Sequence, residues 1–104
     1  MRIAILGNSG SGKSTLAQWL ARQGTAALLD LDTVAWEPGQ IAVARPASVA
    51  EQAVRTFCST HAAWVIEGGY ANLIEASLAF EPRLVVLDPG LAQCLANCRA
   101  RPWE

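Results

Sequence analysis

The chain has 104 residues, 52% of them hydrophobic, and a formal net charge of −1 at pH 7. This length suits one domain with a single core. A near-neutral charge gives no basic field of the kind that binds nucleic acid or membrane surfaces, so we expect neither as a direct partner. The longest apolar runs are strand-sized, so we expect no signal peptide, no membrane-spanning helix and a cytoplasmic location.

The first predicted elements enclose a glycine-rich loop. The apolar pattern predicts a strand over residues 2–6 and a helix over 13–23, with Gly24 as its stop signal. Between them lies a complete G-x-x-x-x-G-K-[ST] pattern. Its residues are Gly7, Asn8, Ser9, Gly10, Ser11, Gly12, Lys13 and Ser14. A preceding strand and a following helix favour a phosphate-binding loop over a flexible linker.

Each part of this loop has a physical role at a phosphate. Its glycines let backbone N–H groups turn toward the anion, and the helix that follows adds unpaired N–H groups and its dipole. Lys13, the only lysine of the chain, is expected to reach the β- and γ-phosphates of a nucleotide. Ser14 is expected to complete a Mg²⁺ shell. By similarity to other loops ending Gly-Lys-Ser-Thr, Thr15 approaches the α-phosphate.

The remaining chain alternates strands and helices. We predict strands over 26–30, 63–67 and 83–87, and helices over 47–61 and 71–80, with a polar stretch over 31–46. A last helix is predicted to begin after Pro89-Gly90 and to run to about Arg101. Ser48 and Glu51 have the spacing of a capping box. Short, continuously apolar strands are typical of a parallel sheet covered on both faces. The alternation therefore predicts one three-layer α/β domain over residues 1–104.

The cysteines do not predict a metal site. Cys58, Cys94 and Cys98 form an odd set, and His61 is the only histidine. We therefore interpret the three cysteines as reduced, partly buried thiols.

Several further segments accompany the loop and carry a family resemblance. They are Leu29-Asp30-Leu31-Asp32-Thr33-x-x-Trp36, Arg45-Pro46, Trp64-Val65-Ile66-Glu67-Gly68-Gly69-Tyr70, Val85-Val86-Leu87-Asp88 and Cys98-Arg99-x-Arg101-Pro102. Together they resemble the small P-loop kinases of the adenylate kinase and shikimate kinase type, and most of all bacterial adenylate-kinase-related ATPases or topology modulation (FlaR-like) proteins. The resemblance implies a P-loop NTPase fold with a parallel sheet in the order 2-3-1-4.

The resemblance also implies an activity and its residues. It implies an ATP- and Mg²⁺-dependent kinase that moves the γ-phosphoryl group to a small acceptor. The implied acceptor-binding residues are Asp30, Asp32, Arg45, Gly68 and Gly69, and the implied catalytic residues are Lys13, Asp32, Arg99 and Arg101. Alternatively, the aspartates are ordinary loop carboxylates and the two last arginines are solvated cations at a helix end. Arg55 either grips an anionic acceptor or is a solvated helix residue.

Two acidic residues compete for the role of supporting Mg²⁺. Asp88 follows a hydrophobic strand and has the more literal pattern. In kinases of this fold, however, the third strand flanks the loop strand on the metal side, so we prefer Glu67 together with Ser14. Asp88 is then expected to cap the last helix.

The chain departs from the kinase pattern in two ways. Kinases of this fold continue with a lid, a fifth strand and a last helix, whereas this chain stops at Glu104. We therefore expect a truncated product, or a natural short form that dimerises through the exposed edge of the fourth strand. Tyr70, Ala71 and Asn72 stand where nucleoside monophosphate kinases carry an arginine, which argues against that activity. A regulatory module with weak ATPase activity and a catalytically incomplete remnant both stay open.

Overall fold

Strands and helices alternate through the described residues of the computed structural model, which are 1–7, 12–36 and 44–87. The strands are β1 (Arg2–Leu6), β2 (Ala27–Asp30), β3 (Trp64–Gly68) and β4 (Arg83–Val86). The helices are α1 (Lys13–Gly24), α2 (Asp32–Ala35), α3 (Ala47–Thr60) and α4 (Ala71–Ser77). A 3₁₀ turn at Leu78–Phe80 follows α4. The predicted last helix and the residues around it lie outside the described ranges.

The four strands form one parallel sheet in the order β2-β3-β1-β4. This confirms the predicted α/β class and the predicted strand order. Ile5 pairs with Glu67, which in turn pairs with Asp30 on the other side. Because the strands are parallel, their carboxyl ends meet at one edge of the sheet, and Asp30 and Glu67 come together there.

Alternation along the strands divides the core between two faces of the sheet. On one face, Ile3, Ile5 and Val65 pack with Ala17 and Ala21 of α1. On the other face, strand residues pack with α3 and α4; this cluster includes Ala4, Leu6, Trp64, Ile66, Val54, Cys58, Leu73 and Ile74. The arrangement has helices on both sides of the sheet, as the alternating sequence predicts.

Helix cover is complete only at the two central strands. β3 is buried along its whole length, and β1 is buried after Arg2. In β2, by contrast, the Leu28 side chain is 40% exposed, and β4 begins with the exposed Arg83. The expectation that every strand is covered on both faces is therefore wrong for β2, whereas in β4 Leu84 and Val86 pack on one face of the sheet and Val85 packs on the other.

The end of α1 differs from its prediction. Gly24 is the last helical residue, and Thr25 adopts the left-handed conformation with φ 49° that ends the helix. A side chain at Gly24 would overlap the sulfur of Met1. The Met1 side chain is 45% exposed and can move aside, so this contact does not require a glycine, and Gly24 is not the helix stop.

The predicted capping box at the start of α3 is also wrong. The cap residue is Pro46, and no side chain caps the helix. The Pro46 carbonyl accepts hydrogen bonds from the N–H groups of Val49 and Ala50. Ser48 therefore lies inside the helix, while the Glu51 carboxylate accepts a 3.0 Å hydrogen bond from Asn72 Nδ2.

Two other segments differ in detail from the prediction. The stretch over 31–46 includes the short helix α2 and an antiparallel bridge between Trp36 and Ala44. The predicted helix over 71–80 is α-helical only to Ser77. Within the described ranges, none of the helices has the length and apolar character needed to cross a membrane.

Candidate functional site

The sheet topology creates a crevice between the carboxyl ends of β1 and β3. The chain leaves β1 through α1 toward β2 at one edge, and it leaves β3 through α4 toward β4 at the other edge. In open α/β sheets, ligands bind beside two neighbouring strands whose outgoing connections run to opposite edges of the sheet, as they do here. The Gly7 N–H donates a 3.1 Å hydrogen bond to the Gly68 carbonyl and joins the two strand ends.

Both ends of the predicted phosphate loop adjoin this crevice. Gly7 is buried and directly follows β1. Gly12 precedes α1 with φ 85° and ψ 6°, a left-handed conformation that favours glycine. Lys13, Ser14 and Thr15 then form the first turn of α1. The loop residues between these ends, Asn8, Ser9, Gly10 and Ser11, lie outside the described part of the chain.

A hydrogen bond joins the loop's last hydroxyl to β3. Ser14 Oγ donates to Glu67 Oε2 over 3.1 Å. Glu67 has the same strand parity as Val65, which packs on the α1 side of the sheet. Strand alternation therefore directs the carboxylate toward the start of α1.

Glu67 is a buried residue, with 3% of its surface exposed. Burial raises the pKa of the Glu67 carboxyl above its ordinary 4.5, and the neighbouring Asp30 raises it further. The Ser14 hydrogen bond and the Lys13 charge act in the opposite direction. A buried carboxylate with an acidic neighbour benefits from a cation beside it.

Ser14, Glu67 and Asp30 share a small cavity of about 50 Å³, which Gln18 also lines. Hydroxyl and carboxylate oxygens are ligands that Mg²⁺ prefers. Within residues 1–7, 12–36 and 44–87, no cluster of three or more His, Cys, Asp or Glu side chains could hold a metal. Mg²⁺ bound here would therefore need ligands beyond the protein carboxylates, such as phosphate oxygens and water. Asp88, the competing candidate, lies outside the described residues.

Asp30 shapes the turn that leads from β2 into α2. Its Oδ1 atom accepts a 2.9 Å hydrogen bond from the Asp32 N–H, and its carbonyl accepts a 2.7 Å bond from Thr33 Oγ1. Leu31, between the two aspartates, is fully buried and donates from its N–H to the Glu67 carbonyl. This turn holds Asp30 and Asp32 at the same edge of the sheet as Glu67.

Asp32 is tied to two aromatic side chains. Trp36 Nε1 donates to Tyr70 Oη over 3.0 Å, and Tyr70 Oη donates to Asp32 Oδ1 over 2.5 Å. Burial raises the pKa of the Tyr70 hydroxyl, and its hydrogen bond to Asp32 raises it further, whereas the Trp36 bond lowers it. Tyr70 therefore keeps its proton and remains a donor at neutral pH.

The sequence did not reveal this chain of hydrogen bonds. Tyr70 stood out there only as a departure from the arginine of nucleoside monophosphate kinases, and Trp36 only as a family landmark. Their contact links residues 34 positions apart, so no local spacing rule could detect it. The one available signal was an aromatic hydroxyl directly after the glycine pair that ends a buried strand.

Beside the two aromatic residues lies a mainly apolar cavity of about 170 Å³. Arg45, a predicted acceptor-binding residue, is half-buried in its lining. Arg55 lies outside this lining and approaches Glu51 at 3.9 Å on the surface of α3, in keeping with the solvated alternative.

Gly68 has a packing role besides its predicted place near the acceptor. A Cβ atom at this position would lie 2.7 Å from Leu31 Cβ, closer than real contacts allow. The glycine therefore lets β3 approach the turn after β2, and Gly69 follows it at the end of the strand.

Some of the other candidate residues lie within the described ranges, and the rest lie outside them. Cys58 is buried, and burial raises the pKa of its thiol to about 11. His61 Nδ1 lies 2.9 Å from the Phe57 carbonyl oxygen. The predicted lid residues Arg99 and Arg101, together with Cys94 and Cys98, lie outside the described ranges.

Comparison with known proteins adds no relative to these observations. No protein-family model matches the chain, and no curated protein shows significant similarity to it.

Proposed function

We propose that this chain is a P-loop protein that binds ATP with Mg²⁺ and transfers the γ-phosphoryl group to a small hydroxyl-bearing acceptor. The observation that carries the proposal is the 3.1 Å contact between Ser14 Oγ and Glu67 Oε2. It brings the last hydroxyl of the G-x-x-x-x-G-K-[ST] pattern to a buried carboxylate at the crevice between β1 and β3. A magnesium-nucleotide site of a P-loop protein requires such a pair.

The residues of the loop suit the phosphate end of the nucleotide. Gly12 permits the turn into α1, whose first N–H groups and dipole favour an anion. Lys13 supplies the positive charge for the β- and γ-phosphates. Ser14 and Glu67 would hold Mg²⁺, directly or through water, and the ion supplies neutralisation of the phosphate charge.

Asp32 suits the acceptor side. The acceptor hydroxyl oxygen would attack the γ-phosphorus, while the bond to the β,γ-bridging oxygen breaks and ADP leaves. The hydroxyl proton would pass to the Asp32 carboxylate. Asp32 starts α2, and Tyr70 donates to its Oδ1. Its place at the same sheet edge as Glu67 supports this role, as does the resemblance to adenylate and shikimate kinases.

Acceptor-dependent ADP formation tests this function. The chain would be incubated with Mg-ATP and a panel of small alcohols, and ADP would be compared with acceptor-free hydrolysis. We expect at least one alcohol to raise ADP formation, and Asp32→Asn to lower the acceptor-dependent rate by about 10²-fold or more. Arg22→Ala, at the far end of α1, is the matched control and should leave the rate unchanged.

Equal ADP formation with and without every alcohol would overturn phosphotransfer. ATP binding with slow hydrolysis would then favour the regulatory alternative.

A further inference from the structure

The cavity beside Trp36 and Tyr70 has the size of one ring. Its volume is about 170 Å³. An enclosed engineered cavity of about 150 Å³ holds one benzene molecule. The space here opens to solvent beside the exposed Trp36, Ala44 and Ala47, and its volume is sufficient for one ring. This cavity is too small for a nucleoside monophosphate, which contains a base, a sugar and a phosphate.

Small apolar side chains create the space. Four alanines and a leucine contribute to the lining, namely Ala35, Ala44, Ala47, Ala50 and Leu73. They come from α2, α3, α4 and the segment that leads into α3. Three of these elements also pack together through the core, so the space is defined by helix packing.

The polar side-chain groups of Trp36 and Tyr70 and the Asn72 Nδ2 atom in the lining already have hydrogen-bond partners. Tyr70 Oη accepts from Trp36 and donates to Asp32. Asn72 Nδ2 donates to Glu51 Oε2 over 3.0 Å. A ligand in the cavity therefore finds few open hydrogen-bonding groups, which favours an apolar body.

Arg45 does not contradict this chemistry. It is the one charged residue among the described lining residues. A guanidinium group interacts favourably with the face of an aromatic ring, and a neighbouring Trp and Tyr offer further ring contacts.

We propose that this cavity binds the ring of a small aromatic alcohol and that this alcohol is the phosphoryl acceptor. The second part rests on the proposed function; the first part does not. The hydrogen-bonded chain from Trp36 through Tyr70 to Asp32 connects the cavity wall to the carboxylate that would receive the hydroxyl proton. Tyr70 is then a positioning residue for Asp32.

Titration of the isotopically labelled chain with benzyl alcohol, without nucleotide, tests the binding site by NMR. The indole N–H signal of Trp36, identified by its loss in Trp36→Phe, should shift and saturate. For a ligand of this size we expect a Kd of about 0.1–1 mM. Glycerol, which has hydroxyl groups but no ring, should give no saturable shift.

A substitution that fills the cavity is compared with a control substitution outside it. Ala47→Leu should weaken benzyl alcohol binding about tenfold or more, because the added carbons occupy the ring's space. Ser48→Leu, at the next and exposed position of α3, should leave the Kd unchanged. Ala35→Leu replaces the first variant if that one does not fold.

Three results would overturn the binding site: no saturation with benzyl alcohol, equal affinity in the filled variant, or binding of benzoate through Arg45 without binding of benzyl alcohol. Lys13→Ala should keep the Kd for benzyl alcohol, since Lys13 is not among the described lining residues of the cavity. If the wild-type chain bound benzyl alcohol but did not bind Mg-ATP, the proposed function would be contradicted and the ring site would stand. The acceptor assignment is tested by incubating the chain with benzyl alcohol and Mg-ATP and monitoring benzyl phosphate by phosphorus NMR. If benzyl alcohol binds but no benzyl phosphate forms, the assignment of this alcohol as the phosphoryl acceptor is overturned.

Discussion

The Ser14 hydroxyl donates to the carboxylate of Glu67, a residue that is 3% exposed. These residues are 53 positions apart in the chain. They meet because α1 packs on the face of the sheet to which the Val65 and Glu67 side chains of β3 point. A divalent cation beside this pair would offset the cost of burying a carboxylate in an otherwise apolar strand.

Glu67→Gln should stabilise the chain without ligand. The folded state holds the Glu67 proton more tightly than the unfolded chain, because burial raises this pKa. Stability therefore falls as pH rises from the ordinary value of 4.5 through the raised value. The variant should lose this pH dependence and melt a few degrees higher at pH 7. Thermal unfolding across that pH range measures both effects.

The exposed Glu81 provides the control for this substitution. Glu81→Gln should keep the wild-type pH dependence. The same Glu67→Gln variant should also lose about tenfold or more in affinity for Mg-ATP, with a smaller change for ATP without Mg²⁺. A variant that melts like the wild type at every pH would contradict the buried, charged state of Glu67.

Tyr70 is the only tyrosine of the chain, so its ionisation can be followed by tyrosinate absorbance. We expect a midpoint above the ordinary 10.0, because burial and then Asp32 raise the pKa of this hydroxyl. Asp32→Asn should lower the midpoint, whereas Trp36→Phe should raise it by removing a donor to the phenolic oxygen. Identical midpoints in all three proteins would show that the hydrogen-bonded chain does not form in solution.

Gly68→Ala and Gly24→Ala make a matched comparison of two glycines. At Gly68 the added carbon would meet Leu31, which is fully buried. We expect a loss of about 1–3 kcal/mol in the free energy of unfolding. At Gly24 it would meet the Met1 side chain, which is 45% exposed and can move. There the higher helix propensity of alanine should keep the change within about 1 kcal/mol. Chemical denaturation measures both, and equal losses would contradict this packing argument.

The elements at the core follow from local patterns in the sequence, whereas the observed strand order was expected from the family resemblance. β1 is predicted at the residues where it occurs, and the apolar run around Trp64 predicts β3 to within one residue. The end of α1 and the start of α3 were mispredicted because Thr25, and not Gly24, adopts the left-handed conformation, and because Pro46, and not Ser48, is the cap residue. Met1 fills the space at Gly24, and Asn72 engages Glu51, which the local pattern assigns to a capping box.

The candidate site, too, could be predicted from the sequence only in part. The loop pattern can be predicted from the chain because a phosphate loop has a fixed spacing, whereas the preference for Glu67 over Asp88 came from the resemblance to kinases of this fold. The contacts of Tyr70 with Asp32 and Trp36 could not be predicted, since they depend on how the turn after β2 faces the start of α4. The ring-sized cavity likewise arises from packing between elements, which no local pattern encodes.

Calorimetric titration of Mg-ATP into the 104-residue chain, with Lys13→Ala for comparison, tests the central claim most directly. Lys13 is partly exposed at the start of α1, so its removal should leave the fold and melting temperature nearly unchanged. We expect micromolar binding by the wild type and a loss of about 10²-fold or more in the variant, because the phosphates lose their lysine contact. Equal affinity in the two proteins would contradict the assignment of the phosphate loop, and so would the absence of binding by both.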